Sequence, residues 1–177
     1  PLQPEISKYP KNDPLPFHAY SQNTFLNEGT DKIKPRGRIL GETMDTHGNP
    51  DVGLNLTQLG QLAEHYGFDV AITTAADQTF APGLKAFRDT LKKNCGPSDT
   101  HTILHFRCAL LGGAQFGHIS PVAAWDEESD SVLVLDTGGH LSPWFWAPVE
   151  PLFKSMREPY RTQPAGGGFV TLRTKKL

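Results

Sequence analysis

Residues 117–136 read GHISPVAAWDEESDSVLVLD. Two strand-like runs, His118–Trp125 and Ser131–Asp136, flank a polar turn from Asp126 to Asp130, which is the pattern of an antiparallel hairpin. His118 and Asp136 are 18 positions apart (136 − 118), with their midpoint at Glu127 inside that turn. A hairpin centred there predicts the two side chains directly opposed, and on one face because the separation is even. Opposed residues hold their Cβ atoms roughly 4.5–5.5 Å apart, close enough for an imidazole to bond a carboxylate. The acid then fixes the ring tautomer and stabilises an imidazolium, giving the base-and-orienter half of a nucleophilic triad. From spacing alone, a chance pairing on an exposed hairpin is the commoner explanation. Context favours the catalytic one: Gly117 before the His and Ser120-Pro121 after it make an odd start for a plain strand. Val132–Leu135 is apolar at every position, which predicts a central strand, and a carboxylate ending a buried strand needs a partner.

Working upstream, Leu56, Leu59, Leu62, Ala63 and Tyr66 follow the spacing of one helical face, with Asn55 or Thr57 as cap and Gly67 as terminator. Phe68–Thr73 reads as a strand, Pro82–Lys93 as a second helix and Thr102–Arg107 as another strand. Downstream, Trp144–Val149 and Gly168–Leu172 read as strands, with one or two helical turns at Pro151–Met156. Residues 1–16 hold five prolines and predict an extended approach segment. Residues 17–27 suit a short helix or turn, and the polar, Gly-rich residues 29–53 a long loop over a site. The expected fold class is α+β: one domain over 1–177, a helical N-terminal part followed by a mostly antiparallel sheet.

Composition excludes several classes. With 17 basic against 19 acidic residues in 177, there is no basic excess for nucleic acid. A hydrophobic fraction of 37% argues against disorder, and no apolar run approaches membrane-spanning length. Cys95 and Cys108 are too few for a disulfide framework. As free thiols they suit a reducing, cytoplasmic compartment. The chain opens on Pro1 and its methionines are Met44 and Met156, which predicts a trimmed N-terminus with any targeting segment upstream.

The stretch Gly117-His118-Ile119-Ser120-Pro121, followed by Val132-Leu133-Val134-Leu135-Asp136, resembles the core of phytochelatin synthases. Pro143 and Trp146 match that family's PPxW segment, Leu152-Phe153-Lys154-Ser155-Met156 its LWxAM helix, and Gly168-Phe169-Val170 its final strand. Phe17–Phe25 resembles a loop near the family's active site, and the Leu54–Tyr66 helix its GxxxxQL helix. The resemblance runs from about Leu15 to Leu172. It implies a papain-like cysteine-peptidase fold in which His118 is the catalytic base and Asp136 its orienting acid. It implies a small thiol peptide, glutathione, as substrate: a cysteine attacks the Cys–Gly amide, glycine leaves, and the γ-glutamylcysteinyl thioester passes to a second glutathione or to water. Gly117, Ile119, Gln22 and Asn23 fall in its matching segments as weaker substrate-binding candidates. No organic cofactor is implied; cadmium or zinc enters as a thiolate complex of the substrate. A homodimer is compatible with it.

Two departures stand out. The family's nucleophile, with its oxyanion-hole Gln, would fall before Pro1. Neither Cys95 nor Cys108 occupies its place, and both read as ordinary thiols. The family's basic residues are replaced at Gly139, Leu141 and Gly167, with Arg107, Arg161 or Arg173 as candidate substitutes. A papain-like amidase on another peptide-like substrate, or a binding module without catalysis, are the alternatives. His101 and His105 share one face of a strand but lie about 13 Å apart, which argues against a metal pair. Trp144 and Trp146 suit core packing, or else a pocket wall.

Overall fold

The computed structural model describes residues 5–6, 18–19, 25–44, 48–49, 52–113, 116–136, 144–160 and 163–174. They form two units, divided at Gly53 and Leu54. In the first, strands β1 (Glu5–Ile6) and β2 (His18–Ala19) pair antiparallel. The stretch expected as loop contains a tight turn at Asn27–Thr30 and a four-residue helix α1 (Arg36–Ile39). The Lys34 ammonium, in a buried residue, donates to the Gly53 carbonyl at 2.7 Å.

The second unit holds helix α2 (Leu56–His65), strand β3 (Phe68–Thr74), helix α3 (Phe80–Asn94) and strand β4 (Thr100–Arg107). Then come a 3₁₀ turn (Cys108–Leu111), strands β5 (Gly117–Asp126), β6 (Ser131–Val134) and β7 (Phe145–Pro148), helix α4 (Val149–Arg157) and strand β8 (Gly168–Thr174). The class is α+β, as expected, but helices and strands interleave instead of forming two blocks. Asn55, not Thr57, caps α2: its side chain accepts from Gln58 N while Gln58 returns a bond to Asn55 N, a full capping box. Helix α3 starts at Phe80, two residues ahead of Pro82, whose missing N–H falls within the first turn where no intrahelical bond is due.

All six strands run antiparallel in the order β3-β8-β4-β5-β6-β7. Alternation sends Leu104, Phe106, Phe169, Val132 and Val134 to one face, against Leu84, Phe87 and Leu91 of α3 and Leu152, Phe153 and Met156 of α4. Phe87 stacks on Phe153 at 5.9 Å and meets Phe169 at 5.0 Å. Val170 and Leu172 face the other way, against Leu56, Leu59 and Ala63 of α2. Strand β6 is central, as expected, between β5 and β7, though its burial is one-sided: Val132 and Val134 are fully covered and Leu133 half-buried. Trp144 and Trp146 are 67% and 52% exposed, neither core nor pocket wall.

Candidate active site

The expected histidine–acid pair exists, but a different register makes it. Asp126 pairs with Ser131, Trp125 with Val132 and Ala124 with Leu133, so the hairpin is centred one to two residues beyond Glu127. Had that register run on, Asp136 would stand across from Pro121, on the face away from His118. A β-bulge at Ala123 absorbs one residue: Val122 pairs with Val134, and Leu135 N donates to Pro121 O at 2.9 Å. Asp136 therefore comes level with Ser120, on the same face as His118. Proline has no N–H to return to Leu135, so the ladder stops at Val134, two residues earlier than expected, and Asp136 leaves the strand. His118 reaches it diagonally rather than from directly opposite, a span of roughly 7–8 Å between backbones that a long side chain covers.

The contact itself is short: His118 Nε2 and Asp136 Oδ1 lie 2.8 Å apart. Their side chains are 14% and 5% exposed. Phe106, directly across the ladder, and Phe116 both meet the imidazole edge-on at 6.0 Å between ring centres, restricting its rotation. An ionised carboxylate only accepts, so Nε2 carries the proton and Nδ1 presents a lone pair. The Ser-His-Asp template uses the two nitrogens the other way round.

Asp136 opens onto a cavity of about 270 Å³. Phe106, Leu111 and Phe145 supply its apolar lining, joined by Gly112 and Gly113, and Cys108 is its second polar group. Nothing in the sequence pointed to Phe145 or Cys108 here. Burial pushes the Cys108 thiol up to about 11, and Asp136 adds to the shift; Cys95, at the C-terminal end of α3, is raised to about 11 by burial as well. Both thiols stay protonated at neutral pH because burial disfavours the thiolate.

The remaining candidates scatter. Ile119 faces away from His118 and packs with the α2 cluster, so its side chain is not at the cavity. Arg107 pairs with Gly117 in the ladder, and alternation turns it from the His118 face as well. Gly117 has a packing reason for being glycine: a Cβ there would overlap Tyr160 Cζ and its hydroxyl oxygen. Arg173 lies at the opposite end of the sheet, 3.2 Å from Asp69, and so does not substitute for a lost cation near the cavity. Gly167 lies against the His105 carbonyl with no room for any side chain. Gln22, Asn23, Gly139, Leu141, Pro143 and Arg161 lie outside the described residues. Among the described residues no group of three His, Cys, Asp or Glu is arranged to hold a metal ion.

Fold and site together define an antiparallel α+β protein presenting a tautomer-fixed imidazole–carboxylate pair beside an apolar cavity. The phytochelatin synthase family profile matches residues 7–168, and the chain belongs to that family. It is similar to glutathione gamma-glutamylcysteinyltransferase 3 of Lotus japonicus, with 29% identity over 90 residues. The match takes in 51% of this chain but 19% of that protein's length, so the chain corresponds to a minor part of its relative.

Proposed function

We propose that this chain carries the base half of a papain-like cysteine acyltransferase acting on glutathione. The single observation supporting it most is the 2.8 Å Nε2···Oδ1 contact, made by a carboxylate that lines a cavity, in a member of this family. In this reading a cysteine outside this sequence, upstream of Pro1, supplies the nucleophile. His118 Nδ1 takes its proton, and the thiolate attacks the carbonyl carbon of the Cys–Gly amide. Asp136 stabilises the imidazolium through Nε2–H. The imidazolium returns the proton to the amide nitrogen, the C–N bond breaks and glycine leaves. His118 then takes a proton from the incoming water or amine, which displaces the thiolate from the thioester. Cadmium or zinc enters, in this reading, bound to the substrate thiol.

A second reading keeps this chemistry but changes the amide. It is favoured by the packing of Gly167, which leaves no space for a carboxylate-binding cation at that position, and by the engagement of Arg173 with Asp69. Loss of a charged clamp shifts specificity more readily than it shifts mechanism. The test is to incubate the full polypeptide with glutathione and follow free glycine. Glycine release supports the first reading. Turnover of other peptide-like amides without glycine release from glutathione supports the second, and no acyl transfer to or from any amide overturns both.

A further inference from the structure

Strand β5 is held unevenly. From Val122 onward it is paired with β6, while among the described residues Gly117–Ser120 are paired only with β4. His118 therefore sits on a segment secured along one side, although its bond to Asp136 demands a fixed position.

The opposite face of that segment carries two rings with no part in the proposed chemistry. His105 and Gly117 point away from His118, by the alternation of the β4–β5 ladder. The ring of Tyr160 lies directly on Gly117, in the space a Cβ would occupy. Its hydroxyl is hydrogen-bonded to His105 Nε2, and the two rings meet edge-on with centres 5.5 Å apart. The tyrosine backbone is fixed too: it exchanges two bonds with Gln163, at 3.2 and 2.9 Å, and the Gln163 side chain accepts from Leu56 N at the start of α2. His105 is only 3% exposed, and its carbonyl is covered by Gly167.

We propose that Tyr160 is a positioning residue for His118: anchored by His105, its ring presses on Gly117 and holds the singly paired start of β5 where His118 meets Asp136. This rests on the reading of His118 as the catalytic base. The anchor does not change charge near neutral pH, because burial, with a smaller contribution from His118, holds His105 down at about 4, while burial pushes the Tyr160 phenol up. Gly117 is not in the left-handed region, so its backbone accepts alanine and a defect in Gly117→Ala comes from the ring above it.

The test uses the full polypeptide and two readouts: turnover, and the downfield proton resonance of the imidazole N–H bonded to Asp136. Tyr160→Ala should lower kcat roughly ten- to hundredfold with KM little changed, and should weaken the resonance while the sheet's circular dichroism persists. Tyr160→Phe, which keeps the ring over Gly117, should recover most of both. Gly117→Ala should lose both, and Gly117→Ala/Tyr160→Ala should regain part of what Gly117→Ala lost. If Tyr160→Ala does not fold, Tyr160→Leu carries the same expectation. An unchanged resonance in a folded Tyr160→Ala or Tyr160→Leu variant, or simple addition of the two losses in the double variant, overturns the proposal. The resonance is read without substrate, so failure of glutathione turnover in the unmodified protein would sink the substrate assignment and leave Tyr160 still to be judged by it.

Discussion

His118 and His105 are the same side chain on adjacent strands of one sheet, turned to opposite faces, and the molecule treats them oppositely. His118 has a carboxylate 2.8 Å away, and that carboxylate lines a cavity. His105 is sealed, meets a phenol instead of an acid, and is held neutral. Residue type therefore says little about a histidine's work. What decides it is whether a counter-charge and an opening to substrate come with it.

The largest expected effect breaks the His118 side alone. His118→Ala should reduce acyl transfer by about 10²–10⁴ while the sheet's circular dichroism persists; near-normal turnover would remove the site. Deleting Ala123 should be comparably damaging by another route. Without the bulge, residues 117–122 turn over relative to β6, and the N–H resonance of the pair should vanish. A deletion variant that keeps this resonance would show that the register argument is mistaken.

On the other face the effect should be on stability. His105 has a folded pKa of about 4 against an ordinary value near 6.5. Between those values the unfolded chain binds more protons, so His105 makes stability fall as pH drops from 6.5 to 4, with no further change below. The contribution is at most about 3 kcal/mol. In His105→Gln, which does not titrate there, the fall in urea midpoint between pH 7 and pH 4.5 should be smaller than in the unmodified protein. An equal fall in both would assign the pH dependence elsewhere. Smallest of all, Lys92→Ala removes an exposed ion pair to Glu127 at 3.0 Å. It should cost less than about 1 kcal/mol and leave turnover and the low-pH behaviour untouched; a change in either would mean the two faces are coupled through α3.

The contrast also marks what could be read from the sequence. Helix α2 was legible because its apolar period and its Asn55 and Gly67 boundaries are local. The partnership of His118 with Asp136 was legible as a partnership, but its geometry was not. The hairpin centre was misplaced, and only a bulge at an unremarkable Ala123 puts both residues on one face. Pairing choice is non-local as well, which hid the place of β8 and the exposure of Trp144 and Trp146. Phe145 and Cys108 reached the cavity through such pairing too. Tyr160 and His105 carried one faint signal: a glycine just before the acid-paired histidine, in a strand with no turn to make, leaves room for something to press against it.

Strand β8, ending at Thr174, lies between β3 and β4. During translation both flanking strands therefore wait, each with an open edge, until the ribosome has delivered residues 168–174. Clipping that segment would split the sheet through its interior instead of trimming a border, exposing two hydrogen-bonding templates at once. Proteolytic damage within residues 168–174 should thus register as aggregation long before it registers as altered chemistry.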